Sequence, residues 1–509
     1  MPLRLPRPST MFGLMAAATA WLCLVLPVFA QEAYYWTYAQ HPALSYYDHP
    51  PMVAWLIWLG SAVFGDGAMG VRFGSWICGV GTTWSGWQLL RHFGVDERGQ
   101  SLWSLCSIGS PILLMPHVLT NPDAPLVCFW MLTVLAIWRA RDGGLGWWVL
   151  AGVSAGLALL SKYTAAFLAI GGLAMLVLDR PLRAQLRRPG PYLGVLLAAI
   201  TFLPVVIWNV GNDFESFRFQ TADRFARGHL SGRWPLELVS SQFGLLHPVL
   251  AVLLVGSSGW LLRRAWRDDA RLRLLLAFGL PLPLYMLTQS MWIQIKLNWL
   301  APAYVPLLLG VLVWWRESGI EVRRPRLLRW CIGSLVAIVA AVPLAPLVRI
   351  WPPGSGTSWM GWELLAARAE HWEEVVDDED GLEGNMFFFA ADYRDAAQLG
   401  RNLLLLSRET EPVDAHGQIE VLEPTLAQNV LGRNGLQFDH WEPPVGRIGQ
   451  PAIFVLPRPE ERENLVELAR RRFATVAKVE RVAIVEWGIH LQDADIYVCR
   501  GYRGPDPAK

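Results

Sequence analysis

Four charged residues stand at the ends of apolar segments, where charged side chains are uncommon: Glu32, Asp48, Asp123 and Lys162. A charge inside an apolar layer costs about 2.5–3.5 kcal/mol on insertion scales, so such residues usually serve a site or pair with one another. A carboxylate can deprotonate an incoming hydroxyl or amine. The candidate catalytic residues are therefore Glu32, Asp48 and Asp123. The alternative is that each is a loop residue facing water, with Asp123 capping the helix that follows Pro122.

Cationic and aromatic residues near these carboxylates are candidates for binding a phosphate-bearing sugar, since cations hold a phosphate leaving group and aromatic rings stack on sugars. The candidate substrate-binding residues are His49, Arg72, Lys162, Tyr163, Lys296, Asn298, Tyr35 and Tyr47. Several have an equally simple structural interpretation. The tyrosines suit an interfacial belt, Lys296 a lysine reaching the membrane surface, Asn298 a helix cap and His49 a helix-entry residue before Pro50.

The elements that must position these residues are apolar helices. The chain has 509 residues, of which 53% are hydrophobic and 17% charged, against about 25% charged in soluble domains. Apolar runs of membrane-spanning length recur from about residue 10 to residue 350, which predicts a polytopic α-helical membrane protein with about 11–13 transmembrane helices. The expected spans include 100–117, 125–138, 191–209, 238–262, 299–315 and 328–350.

The charges of the loops predict the orientation of these spans. Alternate loops are rich in arginine, as in 180–188 and 263–273, and such loops are cytoplasmic by the positive-inside rule. The arginine-poor loops carry the candidate site residues, which places the site on the non-cytoplasmic face of the membrane. The first apolar segment, 11–30, is read as a span, and a signal peptide cleaved after Ala30 is the alternative.

Two domains are expected. Residues 1–350 form the transmembrane catalytic domain, with a first periplasmic loop at about 31–68, and residues 351–509 form a soluble periplasmic α/β domain. Strand-like runs occur at 452–456, 482–485 and 496–499, and the acidic run 373–380 suits a solvated face rather than a binding role. A net charge of +1 without a basic tract excludes nucleic-acid binding as the main function. The cysteines show no C-x-x-C or metal-type spacing.

An ordered set of motifs resembles a known family. Glu-Ala-Tyr-Tyr-Trp at 32–36 and Tyr-Tyr-Asp-His-Pro-Pro at 46–51 are followed by Asn-Pro-Asp-Ala-Pro at 121–125, Ser-Lys-Tyr-Thr at 161–164 and Lys-Leu-Asn-Trp-Leu-Ala-Pro-Ala-Tyr at 296–304. Taken in this order, they resemble the bacterial branch of the protein-mannosyltransferase-like glycosyltransferases, which have the GT-C fold and include the aminoarabinose transferases of lipid A. The tail segment 434–441, Asn-Gly-Leu-Gln-Phe-Asp-His-Trp, is also similar to this branch.

The resemblance implies an enzyme that transfers a sugar, usually with inversion, from a polyprenyl-phosphate carrier to a lipid, glycan or protein acceptor. The family's acidic pair falls on Gln31-Glu32, where the first position is commonly Asp. Gln31 cannot take up a proton, so Glu32, Asp48 or Asp123 must act as the base. Where the aminoarabinose branch usually has a phosphate-contacting Lys, this chain has His49.

Two other functions remain open on the sequence alone, a transporter or flippase of lipid-linked sugars and a non-catalytic binder of them. The placement of the acidic residues at the ends of spans on one face counts against transport. Some GT-C enzymes use a divalent cation, and Glu32, Asp48 and Asp123 could bind one if they converge. No ligand spacing in the sequence supports a metal, so none is expected.

Overall fold

The chain forms two compact units. The computed structural model describes residues 5–223, 228–347, 359–380, 386–410 and 424–505. The helical unit comprises Met1–Val25 and Pro42–Pro343, and the mixed unit comprises Leu26–His41 and Leu344–Lys509. The expected division into a transmembrane domain up to residue 350 and a soluble domain from 351 stays a prediction, because residues 348–358 lie outside the described part of the chain.

The helical unit consists of α-helices with short 3₁₀ segments. Its α-helices within the described ranges are Pro8–Val25, Met52–Phe64, Ala68–His92, Glu97–Gly109, Pro111–Val118, Asp123–Ala140, Leu145–Ser161, Phe167–Leu178, Arg180–Gln185, Gly190–Gly211, Glu215–Arg218, Arg233–Leu245, Pro248–Trp266, Ala270–Gly279, Pro281–Gln289, Ala301–Ser318, Ile320–Arg323 and Pro325–Ala341. Two 3₁₀ segments concern the site, Tyr163–Ala166 and Leu297–Leu300.

Seven helical segments in the described part of the chain are long and apolar enough to cross a membrane, and the bent pair Glu97–Gly109 and Pro111–Val118 makes an eighth if it is one span. This confirms the expectation of a polytopic α-helical membrane protein. Shorter apolar helices accompany these spans, at Met52–Phe64, Leu145–Ser161 and Tyr163–Leu178. The finer count of 11–13 spans stays a prediction.

Prolines break two of the expected spans. The segment expected as 100–117 bends by 76°, because Pro111 cannot continue the hydrogen-bonding ladder of the preceding helix. The expected span 238–262 is instead two helices, Arg233–Leu245 and Pro248–Trp266. Between them His247 has a φ of 84° and accepts a hydrogen bond from the Val249 N–H at 3.3 Å, so the second helix has its own N-terminus.

The helix Leu145–Ser161, which ends just before Lys162, packs closely against the helix Gly190–Gly211 through small residues. A methyl group added to Gly152, in Leu145–Ser161, would lie 2.2 Å from the carbonyl oxygen of Gly194, in Gly190–Gly211. Such contact requires glycine, and small residues at interfaces are how helices pack closely in membranes. The end of Leu145–Ser161 is thereby fixed, which matters because the site begins at the next residue.

The mixed unit is built on a five-stranded sheet of order β2-β1-β3-β5-β4. The strands are β1 (Phe387–Ala390), β2 (Thr425–Leu426), β3 (Ala452–Pro457), β4 (Phe473–Glu486) and β5 (Ile489–Tyr502). β1 pairs in parallel with β2 and β3, whereas β5 runs antiparallel to β3 and β4. The three strand runs expected from the sequence lie inside β3, β4 and β5. The Phe389 and Phe454 rings stack at 4.4 Å in the core.

Helices cover this sheet and include a piece from the start of the chain. The α-helices of the mixed unit are Ala30–Gln40, Trp362–Asp380, Tyr393–Thr410, Phe438–Trp441 and Glu463–Arg472. The helix Ala30–Gln40 packs against Tyr393–Thr410. Residues expected as the start of a first periplasmic loop thus form a helix of the mixed unit, while the later part of that loop contains the helix Met52–Phe64 of the helical unit.

Candidate active site

Asp123 begins a helix but does not cap it. The Oδ1 atom of Asn121 accepts hydrogen bonds from the backbone N–H groups of Asp123 at 2.9 Å and Ala124 at 3.1 Å. These groups are otherwise unpaired at a helix N-terminus, and Asn121 satisfies them. The Asn-Pro-Asp motif therefore leaves the Asp123 carboxylate available for other contacts, and the alternative interpretation of Asp123 as a helix cap is wrong.

The Asp123 carboxylate joins two other predicted site residues. Its Oδ1 atom accepts a hydrogen bond from Lys162 Nζ at 2.6 Å, and its Oδ2 atom accepts one from Asn298 Nδ2. The side chains of Lys162 and Asp123 are only 11% and 3% exposed. Three motifs separated by up to 175 positions in the chain meet in this Asp123–Lys162–Asn298 cluster.

Local structure explains how Lys162 and Asn298 reach this point. Lys162 has an extended backbone, with φ of −163°, between the helix Leu145–Ser161 and the 3₁₀ segment Tyr163–Ala166. Asn298 lies in the 3₁₀ segment Leu297–Leu300, before a long buried helix. Lys162 Nζ also lies 5.6 Å from the centre of the Trp299 ring, a cation–π distance. Helix interruptions thus place both polar side chains on Asp123.

The cluster can hold an anion. An ammonium group has three N–H donors, so Lys162 can contact Asp123 and still donate to a phosphate. The carboxylate, with a donor on each oxygen, fixes the position of the ammonium group and balances its charge. Asp123 is in this arrangement better suited to orient Lys162 than to accept a proton from a substrate.

Asp48 and Tyr163 are linked through the segment that follows the helix Gly190–Gly211. Gln220 Nε2 donates to the backbone carbonyl of Asp48 at 2.6 Å, and the hydroxyl groups of Tyr163 and Ser216 lie 2.7 Å apart. Asp48 is only 5% exposed. This segment therefore holds both the first loop of the helical unit and the Ser-Lys-Tyr motif.

Tyr47 and His49 belong to the same first loop. The centres of the Tyr47 and Phe219 rings lie 4.7 Å apart, so Tyr47 packs against a phenylalanine of the segment that also carries Gln220. His49 is half-buried, and its carbonyl accepts a hydrogen bond from the Tyr46 N–H at 3.1 Å. The backbone turn so formed orients the Tyr-Tyr-Asp-His motif.

Arg72 and Lys296 lie in contrasting surroundings. Arg72 is fully buried, and its Nη1 donates to the Cys23 carbonyl at 3.1 Å. Lys296 is exposed and directly precedes the 3₁₀ segment that carries Asn298. The roles of Arg72 and Lys296 in phosphate binding stay predictions.

Glu32 and Tyr35 belong to the mixed unit. Glu32 is 1% exposed, and its Oε2 accepts a hydrogen bond from the Phe29 N–H at 2.8 Å, at the start of the helix Ala30–Gln40. Tyr35 is buried among tyrosines, with ring centres 5.7 Å from Tyr34 and 5.7 Å from Tyr38. The expectation that Glu32 shares a site with Asp48 and Asp123 stays a prediction.

The tail of the chain holds this helix through residues that the sequence analysis did not identify. The Tyr393 hydroxyl donates to Gln31 Oε1 at 3.2 Å, and Gln398 Nε2 donates to the Val28 carbonyl at 2.7 Å. Both lie on or begin the helix Tyr393–Thr410. No local motif marks them, because the contacts join residues more than 360 positions apart in the chain.

The segment 434–441, which resembles the family, contacts the helix Ala30–Gln40 and the residue that follows it. The Gln437 N–H donates to the Tyr34 hydroxyl at 3.2 Å, and the Trp441 ring stacks on His41 at 4.6 Å. Burial lowers the pKa of His41, which Glu442 partly opposes. This segment therefore supports the helix Ala30–Gln40, which carries Gln31 and Glu32, from the other end.

A buried carboxylate anchors the same scaffold. Asp395, fully buried in the helix Tyr393–Thr410, bonds Arg462 Nη1 at 2.5 Å. Burial and the nearby Asp392 raise the pKa of Asp395 to about 6, and Arg462 opposes that rise. The ion pair therefore stabilises the start of the helix Tyr393–Thr410, and its first residue, Tyr393, donates a hydrogen bond to Gln31.

The described ranges contain no group of three or more His, Cys, Asp or Glu side chains that could hold a metal ion. The expectation that no metal is required stays a prediction to be tested with a chelator.

Comparison with known proteins agrees with the motifs. Residues 48–208 match the family described as dolichyl-phosphate-mannose-protein mannosyltransferase. The chain is 28% identical over 289 residues to the lipid A galacturonosyltransferase RgtD of Rhizobium johnstonii, covering 54% of this chain and 58% of the relative. It is 27% identical over 343 residues to an undecaprenyl phosphate-alpha-4-amino-4-deoxy-L-arabinose arabinosyl transferase of Pseudomonas fluorescens, covering 62% and 56%. The matches thus span little more than half of each curated relative.

The fold is also that of solved GT-C proteins. ArnT from Cupriavidus metallidurans in the apo state superposes with a TM-score of 0.59 at 15% identity, covering 96% of this chain and 97% of ArnT. Its complex with undecaprenyl phosphate gives a TM-score of 0.56 at 16% identity, with the same coverage. An oligosaccharyltransferase of Archaeoglobus fulgidus gives 0.54 at 11% identity, covering 90% of this chain and 69% of the neighbour.

Fold, motifs and relatives define the class of this chain: it is a multi-pass membrane protein with the GT-C fold. Within that class it is similar to the lipid A galacturonosyltransferase RgtD and to undecaprenyl phosphate-alpha-4-amino-4-deoxy-L-arabinose arabinosyl transferases. The resemblance inferred from the ordered motifs is thereby confirmed.

Proposed function

We propose that this protein is a glycosyltransferase that moves a sugar from a polyprenyl-phosphate carrier to a lipid, glycan or protein acceptor. The observation that carries the proposal is the Asp123–Lys162–Asn298 cluster, where three separate family-like motifs meet around one buried ammonium group. The names of the relatives support the donor class, since they include undecaprenyl-phosphate sugar transferases. A structural neighbour was solved with undecaprenyl phosphate bound.

Lys162 is the proposed contact of the carrier phosphate. Its ammonium group neutralises negative charge that develops on the phosphate oxygen as the sugar leaves, and Asp123 and Trp299 hold it in place. Asn298 orients Asp123, so its effect on the reaction is indirect. Arg72, Lys296 and His49 are further candidates for phosphate contacts.

Acceptor activation is assigned to Glu32 or Asp48. As the acceptor hydroxyl or amine attacks the anomeric carbon, one of these carboxylates takes its proton and the bond to the carrier phosphate breaks. Attack opposite the leaving phosphate inverts the anomeric configuration. Gln31 has no ionisable group, which leaves the base to its neighbour Glu32 or to Asp48.

The proposed location is the bacterial inner membrane, with the site and the mixed unit on the periplasmic side. The arginine-rich loops, including 180–188 and 263–273, support this orientation through the positive-inside rule. Protease accessibility of the mixed unit in spheroplasts and in inverted vesicles tests it, since only spheroplasts should allow its cleavage.

The decisive experiment is a transfer assay on the full-length protein in nanodiscs, supplied with a panel of undecaprenyl-phosphate sugars and lipid A. Released undecaprenyl phosphate is measured with and without EDTA. We expect release with at least one sugar, a loss of at least a hundredfold in Lys162→Met, and a similar loss in whichever of Asp48→Asn and Glu32→Gln removes the base. Asp268→Asn, at a side chain 86% exposed, is the matched control and should keep full activity.

Each outcome separates one assignment from another. Full activity in both Asp48→Asn and Glu32→Gln would contradict the assignment of the base. Tight binding of the same lipids without release of undecaprenyl phosphate from any of them would contradict the enzyme and favour a binder or a transporter. Loss of activity on addition of EDTA would show a metal requirement.

A further inference from the structure

The end of the sheet formed by β4 and β5 continues as a separate ribbon. β3 pairs with β5 only as far as Pro457 opposite Ala494. Beyond that point β4 and β5 pair with each other alone, up to Glu486 opposite Ile489. The turn consists of Trp487 and Gly488, with φ of 50° and 75°, so the ribbon ends in a tight hairpin.

The two parts of this ribbon are buried to very different extents. Near its base, Ile484 and Leu491 are 1% and 3% exposed. At its tip, the large apolar side chains of Val485, Trp487 and Ile489 are 53%, 75% and 48% exposed. We call residues 485–489 the hairpin tip. An exposed apolar tip on a two-stranded ribbon is a candidate interaction site, since exposed apolar clusters mark such sites.

The chemistry of the tip fits a lipid surface better than a protein surface. Trp487 stands between Glu486 and Gly488, with Val485 and Ile489 one residue further on each side, and tryptophan and aliphatic side chains partition into the membrane–water interface. Three side chains also provide far less than the roughly 800 Å² that each partner contributes to a stable protein interface. Insertion into lipid has no such minimum area, because each buried apolar group contributes independently.

Chain connectivity links the base of this ribbon to a candidate membrane span. Ile484 packs against Gly361, where a methyl group would lie only 2.4 Å from its Cγ2 atom. Two residues before Gly361, the Trp359 ring lies 4.9 Å from Phe29, and Phe29 follows Val25, the end of a candidate span, by four residues. Four residues reach at most about 14 Å, so the base of the ribbon packs on a segment that the chain joins to a candidate span within that length.

We propose that the hairpin tip inserts into the interfacial layer of the membrane that the helical unit spans, with Trp487 as its principal anchor. The tip then acts as a second, non-covalent attachment of the mixed unit to the lipid surface. This attachment is separate from the proposed transfer chemistry, and it holds whether or not the protein is an enzyme.

The test places an environment-sensitive probe at the tip of the full-length protein in nanodiscs. All six native cysteines are buried, so an NBD label goes to an introduced cysteine in Trp487→Cys. Val445→Cys is the matched control, because Val445 is 60% exposed in the same unit but lies outside the ribbon. Quenching by doxyl-labelled lipids is compared with quenching by aqueous iodide.

We expect lipid quenching at position 487 to exceed that at position 445 at least twofold, with the reverse order for iodide. Ile489→Cys, which leaves Trp487 in place, should resemble Trp487→Cys and guards against a misfolded first variant. Equal lipid quenching at 487 and 445 would overturn the proposal. So would protection of 487 from both quenchers, since that result indicates a protein partner at the tip.

Discussion

The Asp123–Lys162 pair allows a quantitative test of the site. Its charged atoms lie 2.6 Å apart with side chains 3% and 11% exposed. At an effective dielectric constant of about 20, two unit charges at this distance attract by about 6 kcal/mol, before the cost of removing both from water is subtracted. Removing one partner of a buried pair typically costs about 3–5 kcal/mol, because the other charge stays buried without compensation.

A double-mutant cycle separates this pair from its surroundings. We expect Asp123→Asn and Lys162→Met each to lower the free energy of unfolding by about 3 kcal/mol, a factor of roughly a hundred in the unfolding equilibrium constant. The double variant removes both charges and retains an acceptor for Asn298. The double variant should also lose only about 3 kcal/mol, whereas independent single losses would add to about 6 kcal/mol. The difference is a coupling energy of about 3 kcal/mol.

The measurements are SDS unfolding in mixed micelles, followed by tryptophan fluorescence, and the transfer assay on the same samples. Transfer should be lost in the double variant although it is no less stable than either single variant, because no cation remains for the carrier phosphate. Lys478→Met is the control: it breaks a Lys–Asp pair of 2.8 Å whose lysine is 41% exposed, and exposed pairs contribute only about 0–1 kcal/mol. Additive losses in the cycle, or an active double variant, would refute the reasoning.

Two further predictions concern packing and pH. Gly152→Val should destabilise the helical unit by about 1–3 kcal/mol through overpacking against Gly194, whereas Gly146→Val, on the same helix with open space around it, should leave the SDS midpoint nearly unchanged. Burial and neighbouring carboxylates raise the pKa of Glu373 to about 7 from 4.5, so its ionisation makes stability fall as pH rises between these values. Thermal melts should therefore show Glu373→Gln to be more stable than the wild type at pH 8 and equally stable at pH 4. The control Glu467→Gln, at a side chain 65% exposed, should show no such difference.

The residues of the central cluster could be predicted from the sequence, although their contacts could not. Asp123, Lys162 and Asn298 each stand in a polar motif at the end of an apolar segment, which is a local property of the sequence. That Asp123 receives both other side chains depends on how helix ends are placed in space. Asn121 supplies the helix cap, a role that spacing alone could equally give to Asp123.

The sequence did not reveal that residues 26–41 belong with the tail of the chain. Hydropathy and charge describe each segment by itself, so a polar-aromatic stretch after a span looks like a loop. Its helix is instead held by Tyr393 and Gln437, far away in the chain. Such pairing depends on tertiary contacts, for which the only sequence signal was the similarity of 434–441 to the family.

The buried Asp123–Lys162 pair itself argues for a binding role over a stabilising one. Replacing a buried ion pair by well-packed apolar side chains is often neutral or stabilising, because desolvation offsets most of the attraction. The pair is better explained by what Lys162 can bind once Asp123 has fixed its position, since an anionic phosphate can accept the N–H donors of the ammonium group that Asp123 leaves unused.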